Sequence, residues 1–184
     1  MTTTPTTPTT PVGPGLPTTP TPPIFELAVV LNGEPRAASV DPRMLLVEAL
    51  REGFGLTGPK IGCATGDCGA CTVRLDGRVV KSCLELVQSA AGSEITTIEG
   101  MAEGDRLTPV QQAFCDRYGF QCGFCLSGML FAAEDLLART ADPSDEEIRD
   151  AIRGNLCRCT GYQNIVEAIR EAAVTRRCAT TGGV

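Results

Sequence analysis

Histidine and tryptophan are both missing from this sequence of 184 residues. The absence of histidine excludes catalytic triads with a histidine base, Cys/His zinc fingers and Rieske clusters. A net charge of −6 without a basic run argues against a nucleic-acid partner. No stretch approaches the roughly 20 apolar residues of a transmembrane helix. The chemistry of this protein must therefore rest on other side chains.

Charged residues are also missing from the first 23 residues, which are mostly threonine and proline. This composition cannot bury a core and predicts a disordered, solvated tail over residues 1–23. No Lys or Arg precedes Arg36, and neither an apolar run nor a twin arginine is present, so no export signal is visible. We therefore expect a cytoplasmic protein, in which thiols stay reduced.

Cysteine, by contrast, is abundant, with ten in the chain. Four of them follow the C-x4-C-x2-C…C spacing of plant-type [2Fe–2S] proteins: Cys63, Cys68, Cys71 and Cys83. Glycines 62, 66 and 69 would let this loop wrap a small cluster through positive φ angles. Structural zinc fits less well, because zinc sites usually pair cysteines about two to four residues apart at both ends. Zinc and disulfides remain the alternatives.

A second set of four cysteines follows downstream, as Cys122-x2-Cys125 and Cys157-x-Cys159. Four thiolates at this spacing suit either an iron–sulfur cluster or zinc. A neighbouring cluster in the first set favours iron, because two redox centres on one chain form an electron relay. Cys115 is predicted to be a buried free thiol on a helix, and Cys178 an incidental residue of a C-terminal tail.

The period of the apolar residues changes at Thr108. Before it, strand-like runs flank Asn32-Gly33 and Asp76-Gly77, both hairpin signals. One helix is expected to begin at Asp41-Pro42. After it, helical spacing predicts four short helices, with capping signals at Thr108 and Ser144. The pattern therefore predicts a mixed sheet with one helix, followed by a helical bundle that carries the second cysteine set.

Three segments carry a specific resemblance: GCATGDCGACTV over residues 62–73, QCGFC over residues 121–125 and GNLCRCTGYQNI over residues 154–165. In this order they resemble the iron–sulfur subunit of the molybdenum hydroxylases, the xanthine oxidase and aldehyde oxidase family. That family includes the small subunits of aerobic carbon monoxide dehydrogenase and of bacterial N-heterocycle hydroxylases. The resemblance covers residues 24–175. The chain departs from it at 126–128, where Leu-Ser-Gly replaces the Thr-Pro-Gly of many members.

The resemblance implies an α+β fold with two domains. Residues 24–100 would form a β-grasp, plant-type [2Fe–2S] ferredoxin domain, and residues 101–176 a four-helix [2Fe–2S] domain. A tail would follow over residues 177–184.

The resemblance also implies the ligands and the partners. The first set would bind the cluster on the acceptor side, and Cys122, Cys125, Cys157 and Cys159 the cluster nearer the molybdenum. Gln121 and Cys159 match positions that approach the molybdopterin of a large partner subunit. The chain would be a non-catalytic redox subunit of an oxidoreductase, passing electrons to FAD on a medium subunit or to a cytochrome. A free-standing two-cluster carrier is the alternative function, and a structural zinc module is a third.

Overall fold

A mixed five-stranded sheet forms the first half of the protein, as seen in a computed structural model that describes residues 23–181. The strands are β1 (Phe25–Leu31), β2 (Glu34–Val40), β3 (Thr72–Leu75), β4 (Arg78–Lys81) and β5 (Glu94–Thr96). Their order is β2-β1-β5-β3-β4, with β1 and β5 parallel and the other pairs antiparallel. The predicted tail, up to residue 22, lies outside the described residues.

Both predicted hairpins are confirmed. Asn32 and Gly33 have φ angles of 53° and 85°, and Asp76 and Gly77 have φ angles of 47° and 78°. Two successive positive φ angles match the right-handed twist of the flanking strands. The second hairpin brings β4, and with it the fourth cysteine of the first set, beside β3.

The helix of this half, α1 (Leu46–Glu48), continues into a π-helical turn over Ala49–Gly53. It begins later than the predicted start at Pro42. The Leu46 amide donates to the Glu85 carbonyl (2.8 Å), and the Val87 amide donates to the Met44 carbonyl (3.0 Å). These long-range bonds hold Leu45, the residue before the helix, in an extended conformation. Leu46 and Leu50 are fully buried against the inner face of the sheet.

Four helices form the second half, as predicted: α2 (Pro109–Asp116), α3 (Leu126–Arg139), α4 (Asp145–Ala151) and α5 (Gln163–Thr181). Capping boxes start two of them, with Thr108 bonded to Gln111 and Ser144 bonded to Glu147. The helices enclose their own core, which includes these side chains: Phe114, Met129, Leu130, Ile148, Ile165 and Ile169. α5 extends to Thr181, beyond its predicted end near Arg176.

The two halves meet where α3 packs against β3. The Ser127 hydroxyl donates to the Thr72 carbonyl (2.9 Å), and the Arg74 guanidinium lies over the Phe131 ring, with Cζ 5.8 Å from its centroid. Within residues 23–181, none of the helices has the length and apolar character needed to cross a bilayer.

Candidate metal centres

Three cysteines of the first set, Cys63, Cys68 and Cys71, lie between α1 and β3. The amides of Thr65 and Cys68 both point at the Cys63 sulfur, at 3.4 Å. Gly66 and Gly69 have the predicted positive φ angles, whereas Gly62 does not. Gly62 is needed for space instead, because a Cβ atom there would lie 2.8 Å from the Cys68 sulfur. The loop therefore curls around its own sulfurs and presents backbone donors to them.

Two cysteines of this set, Cys71 and Cys83, are buried beside Val47. Cys83 belongs to the 3₁₀ turn Ser82–Leu84 that follows β4. The Ser82 hydroxyl donates to the Cys71 carbonyl (2.6 Å) and so fixes the two segments to each other. The first set thus has a half-buried pair, Cys63 and Cys68, and a fully buried pair.

The electrostatics of this set differ between the pairs. Hydrogen bonds from Thr65 and then from the Cys68 amide lower the pKa of Cys63 to about 6. Burial raises the pKa of Cys71 to about 11. A thiol must lose its proton to bind a metal, so the donors around Cys63 favour the ligating form. At Cys71 a metal cation would have to supply that stabilisation.

The second set connects two loops of the helical half. Cys122 and Cys125 lie between α2 and α3, and Cys157 and Cys159 lie between α4 and α5. The sulfurs of Cys122 and Cys159 are 3.5 Å apart. Burial, followed by the hydrogen bond with Cys157, raises the pKa of Cys125 to about 12.

Two polar residues after Cys157 fix its position. The Thr160 hydroxyl donates to the Cys157 sulfur (3.1 Å), and the Cys157 amide donates to the Tyr162 hydroxyl (2.8 Å). The loop therefore determines the orientation of this sulfur in the same way as the first loop does at Cys63.

Within each set the sulfurs approach one another in pairs. This pairing suits a binuclear iron centre. The pairs are Cys63 with Cys68, Cys71 with Cys83, Cys122 with Cys159 and Cys125 with Cys157. Each iron of a [2Fe–2S] centre takes two cysteine ligands. This pairing fits one [2Fe–2S] group in each set.

The disulfide alternative receives no support at the two cysteine sets, since all eight of their cysteines are free thiols. Cys115 is exposed on α2, so the prediction that it is buried is wrong. Cys178 is also exposed and lies on α5.

The second set opens toward solvent on the side that carries the predicted molybdopterin-facing residues. Cys122, Cys159 and Gln121 are all exposed, whereas Cys125 is only 6% exposed. One pair of this centre therefore faces outward, and the other faces the helical core. A partner protein can approach the outward pair directly.

The two cysteine sets are in contact through their loops. The Leu156 amide, adjacent to Cys157, donates to the carbonyl of Cys68 (2.9 Å). The Lys81 ammonium donates to the carbonyl of Gly154 (3.0 Å) and to the Thr72 hydroxyl (3.0 Å). Sequence analysis did not identify Lys81 or the junction, because its partners are far apart in the chain and leave no local pattern.

Comparison with known families agrees with this geometry. Residues 29–108 match the family described as "2Fe-2S iron-sulfur cluster binding domain", and residues 97–170 match that described as "[2Fe-2S] binding domain". The chain is therefore an iron–sulfur protein with two [2Fe–2S] clusters, one in each half.

Relatives define the family. The chain is 47% identical to the nicotine 6-hydroxylase small subunit of Paenarthrobacter nicotinovorans, over 80% of this chain and 88% of that one. It is 48% identical to the nicotinate dehydrogenase small FeS subunit of Eubacterium barkeri, over 81% of this chain and 94% of that one.

Solved structures show the same relationship. The crystal structure of quinoline 2-oxidoreductase from Pseudomonas putida 86 matches with a TM-score of 0.80 and 46% identity, over 88% of this chain and 99% of the matched chain. Aldehyde oxidoreductase from Desulfovibrio gigas matches with a TM-score of 0.77 and 42% identity, over 84% of this chain but only 17% of the other. The chain belongs to the iron–sulfur subunits of the molybdenum hydroxylase family, with the β-grasp ferredoxin and helical domains that the resemblance implied. It is the electron-transfer subunit of a heteromeric oxidoreductase.

Proposed function

We propose that this chain carries electrons from the molybdopterin centre of a large catalytic subunit first to the helical-domain centre and then to the ferredoxin-domain centre. FAD on a medium subunit, or a cytochrome, would take the electrons from the second of these. When bound, each [2Fe–2S] group accepts and releases one electron. The chain itself holds these groups, orients their ligands and shields one side of each from water.

The proposed ligands are the two sets of four cysteines described above. Their approach in pairs is the observation that supports this assignment most strongly. We propose that Cys63 and Cys68 share one iron of the first centre, and that Cys122 and Cys159 share one iron of the second.

We also propose a domain boundary at residue 100. The separate hydrophobic cores of the two halves support this boundary.

Exposure and contact support the proposed direction of electron transfer. Cys122 and Cys159 face solvent beside Gln121, where a large subunit could bring its molybdopterin close. The Cys68 loop contacts the second cysteine set next to Cys157, through the Leu156 amide. The helical centre therefore has an outward side for electron entry and an inward side next to the first centre.

We also propose a cytoplasmic location. The eight free thiols of the two sets, which suit metal binding, fit a compartment that keeps cysteines reduced.

Replacement of one ligand tests the proposed path. We expect Cys122→Ser to prevent reduction of the first centre by substrate, while dithionite still reduces it, since the first centre keeps all its ligands. The measurement is EPR of the copurified complex, with a substrate found by screening aldehydes and N-heterocycles for turnover. The matched control is Cys115→Ser, an exposed cysteine outside both sets, which should behave as wild type.

Two results would count against the proposal. Normal substrate turnover by Cys122→Ser would refute the electron path. Purification of the native chain without any large subunit would instead favour the free-standing carrier.

A further inference from the structure

Lys81 places a positive charge at the junction between the two cysteine loops. Its ammonium has three neutral acceptors: the Thr72 hydroxyl (3.0 Å), the Gly154 carbonyl (3.0 Å) and the Asn155 side-chain oxygen (3.5 Å). Three acceptors satisfy the three donors of an ammonium group. None of the ion pairs found among residues 23–181 includes Lys81. The charge is therefore held in place without being neutralised by a carboxylate.

The position of Lys81 is fixed by both domains. It pairs across the β3–β4 ladder with Thr72, the residue after Cys71, and it lies two residues before Cys83 in the chain. Its other two partners belong to the helical domain, just before Cys157. Asn155 is itself buried, at 4% exposure. The ammonium thus cannot move away from the junction without breaking contacts on both sides.

The charge of Lys81 interacts with the first cysteine set, which lies in the same domain and includes Cys83, two residues further along the chain. Burial lowers the pKa of Lys81, and the largest opposing interactions come from the first set, with Cys71 ahead of Cys68, Cys83 and Cys63. A half-buried charge is less screened by solvent than an exposed one. Its effect should therefore be strongest on the first centre.

A fixed cation affects the two redox states of a centre unequally. Reduction adds one negative charge, so a nearby ammonium stabilises the reduced state more than the oxidised state. We propose that Lys81 raises the reduction potential of the first centre and thereby favours electron transfer from the second centre to the first. Lys81 is a positioning residue, because it sets the energy of the electron without touching the centre. This inference rests on the proposed ligand assignment.

A set of four variants tests this inference in the complete complex. Lys81→Met removes the charge with little change in length, Lys81→Gln removes it but keeps polar contacts, and Lys81→Arg keeps it. The control, Arg78→Met, removes an exposed cation from the other end of the same strand. The measurement is the midpoint potential of each centre by EPR-monitored redox titration, with iron and sulfide assayed on the same samples.

We expect Lys81→Met and Lys81→Gln to lower the potential of the first centre relative to the second. The electron distribution between the centres should change by about tenfold, or about 59 mV for a one-electron couple. Lys81→Arg and Arg78→Met should stay close to wild type. Reduction of the second centre by substrate should remain, because its ligands are unchanged.

The possible outcomes distinguish a failure of the inference about Lys81 from a failure of the ligand assignment. Unchanged potentials, or equal shifts of both centres, in a variant with full iron content would overturn the inference about Lys81. Fewer than four irons per wild-type chain would instead reject the ligand assignment, because the two domains require two [2Fe–2S] groups. If Lys81→Met loses iron, the potentials of Lys81→Gln are compared with those of wild type instead. A merely structural role would reduce the iron content or stability of these variants and leave the potentials of the loaded centres unchanged.

Discussion

At the scale of single residues, the junction depends on how closely two loops approach. Gly69 has a φ angle of +76°, and a Cβ atom there would lie 2.0 Å from the Asn155 side-chain oxygen. The same atom would lie 2.7 Å from the Gly154 carbonyl oxygen. Gly69 is therefore required both for its backbone angle and for the space that it leaves to the helical domain.

Substitution of Gly69 tests these two requirements separately. Gly77 is the matched control, because it has a similar φ angle of +78° but no atom within 4 Å of an added Cβ. We expect Gly77→Ala to cost about 1–2 kcal/mol for the left-handed conformation alone. Gly69→Ala should cost about 1–3 kcal/mol more, through overpacking against Asn155. The measurement is urea unfolding of the cluster-loaded chain; equal losses in the two variants would contradict the close contact.

Residue-level contacts at the junction could not be predicted from the sequence. Cys63, Cys68 and Cys71 could be assigned to one loop because their spacing is local. Lys81 and Asn155 are 74 positions apart, and neither belongs to a pattern that indicates a contact. Only the packing of α3 against β3 brings them together.

At the scale of elements, local signals correctly predicted the hairpins and the capped helices. The predicted start of α1 was wrong because long-range hydrogen bonds determine where that helix begins. Asp76-Gly77 specifies its turn through its own backbone preferences. The start of α1 depends instead on bonds from Met44 and Leu46 to the segment Glu85–Val87. Asp41-Pro42 is a good local signal for a helix start, but these long-range bonds prevent the helix from beginning there. The Asp41 carboxylate accepts from the Arg43 amide instead, within a turn.

The cap of α2 provides a test at this scale. The Thr108 hydroxyl accepts from the Gln111 amide (3.2 Å), and the Gln111 side chain accepts from the Thr108 amide (2.9 Å). We expect Thr108→Ala to lower the free energy of unfolding by about 1 kcal/mol, because a helix amide loses its partner. Thr108→Ser keeps the hydroxyl and serves as the control. Equal urea midpoints for the two variants would show that the cap contributes nothing.

At the scale of the whole molecule, two separate hydrophobic cores are joined by a small number of directed contacts. Ser127 and Leu156 each donate one of these hydrogen bonds across the boundary, and Lys81 donates two. Phe124 adds an apolar contact, since its ring lies 3.2 Å from where a Gly62 Cβ would be. The contacts concentrate around the two cysteine loops. The arrangement therefore holds the two centres at one relative position, as a relay requires.

Metal and sulfide analysis of the purified chain tests the central claim most directly. Two [2Fe–2S] domains predict four irons and four acid-labile sulfides per chain, without stoichiometric zinc. A chain that holds zinc, or fewer than four irons after anaerobic reconstitution, would contradict the account.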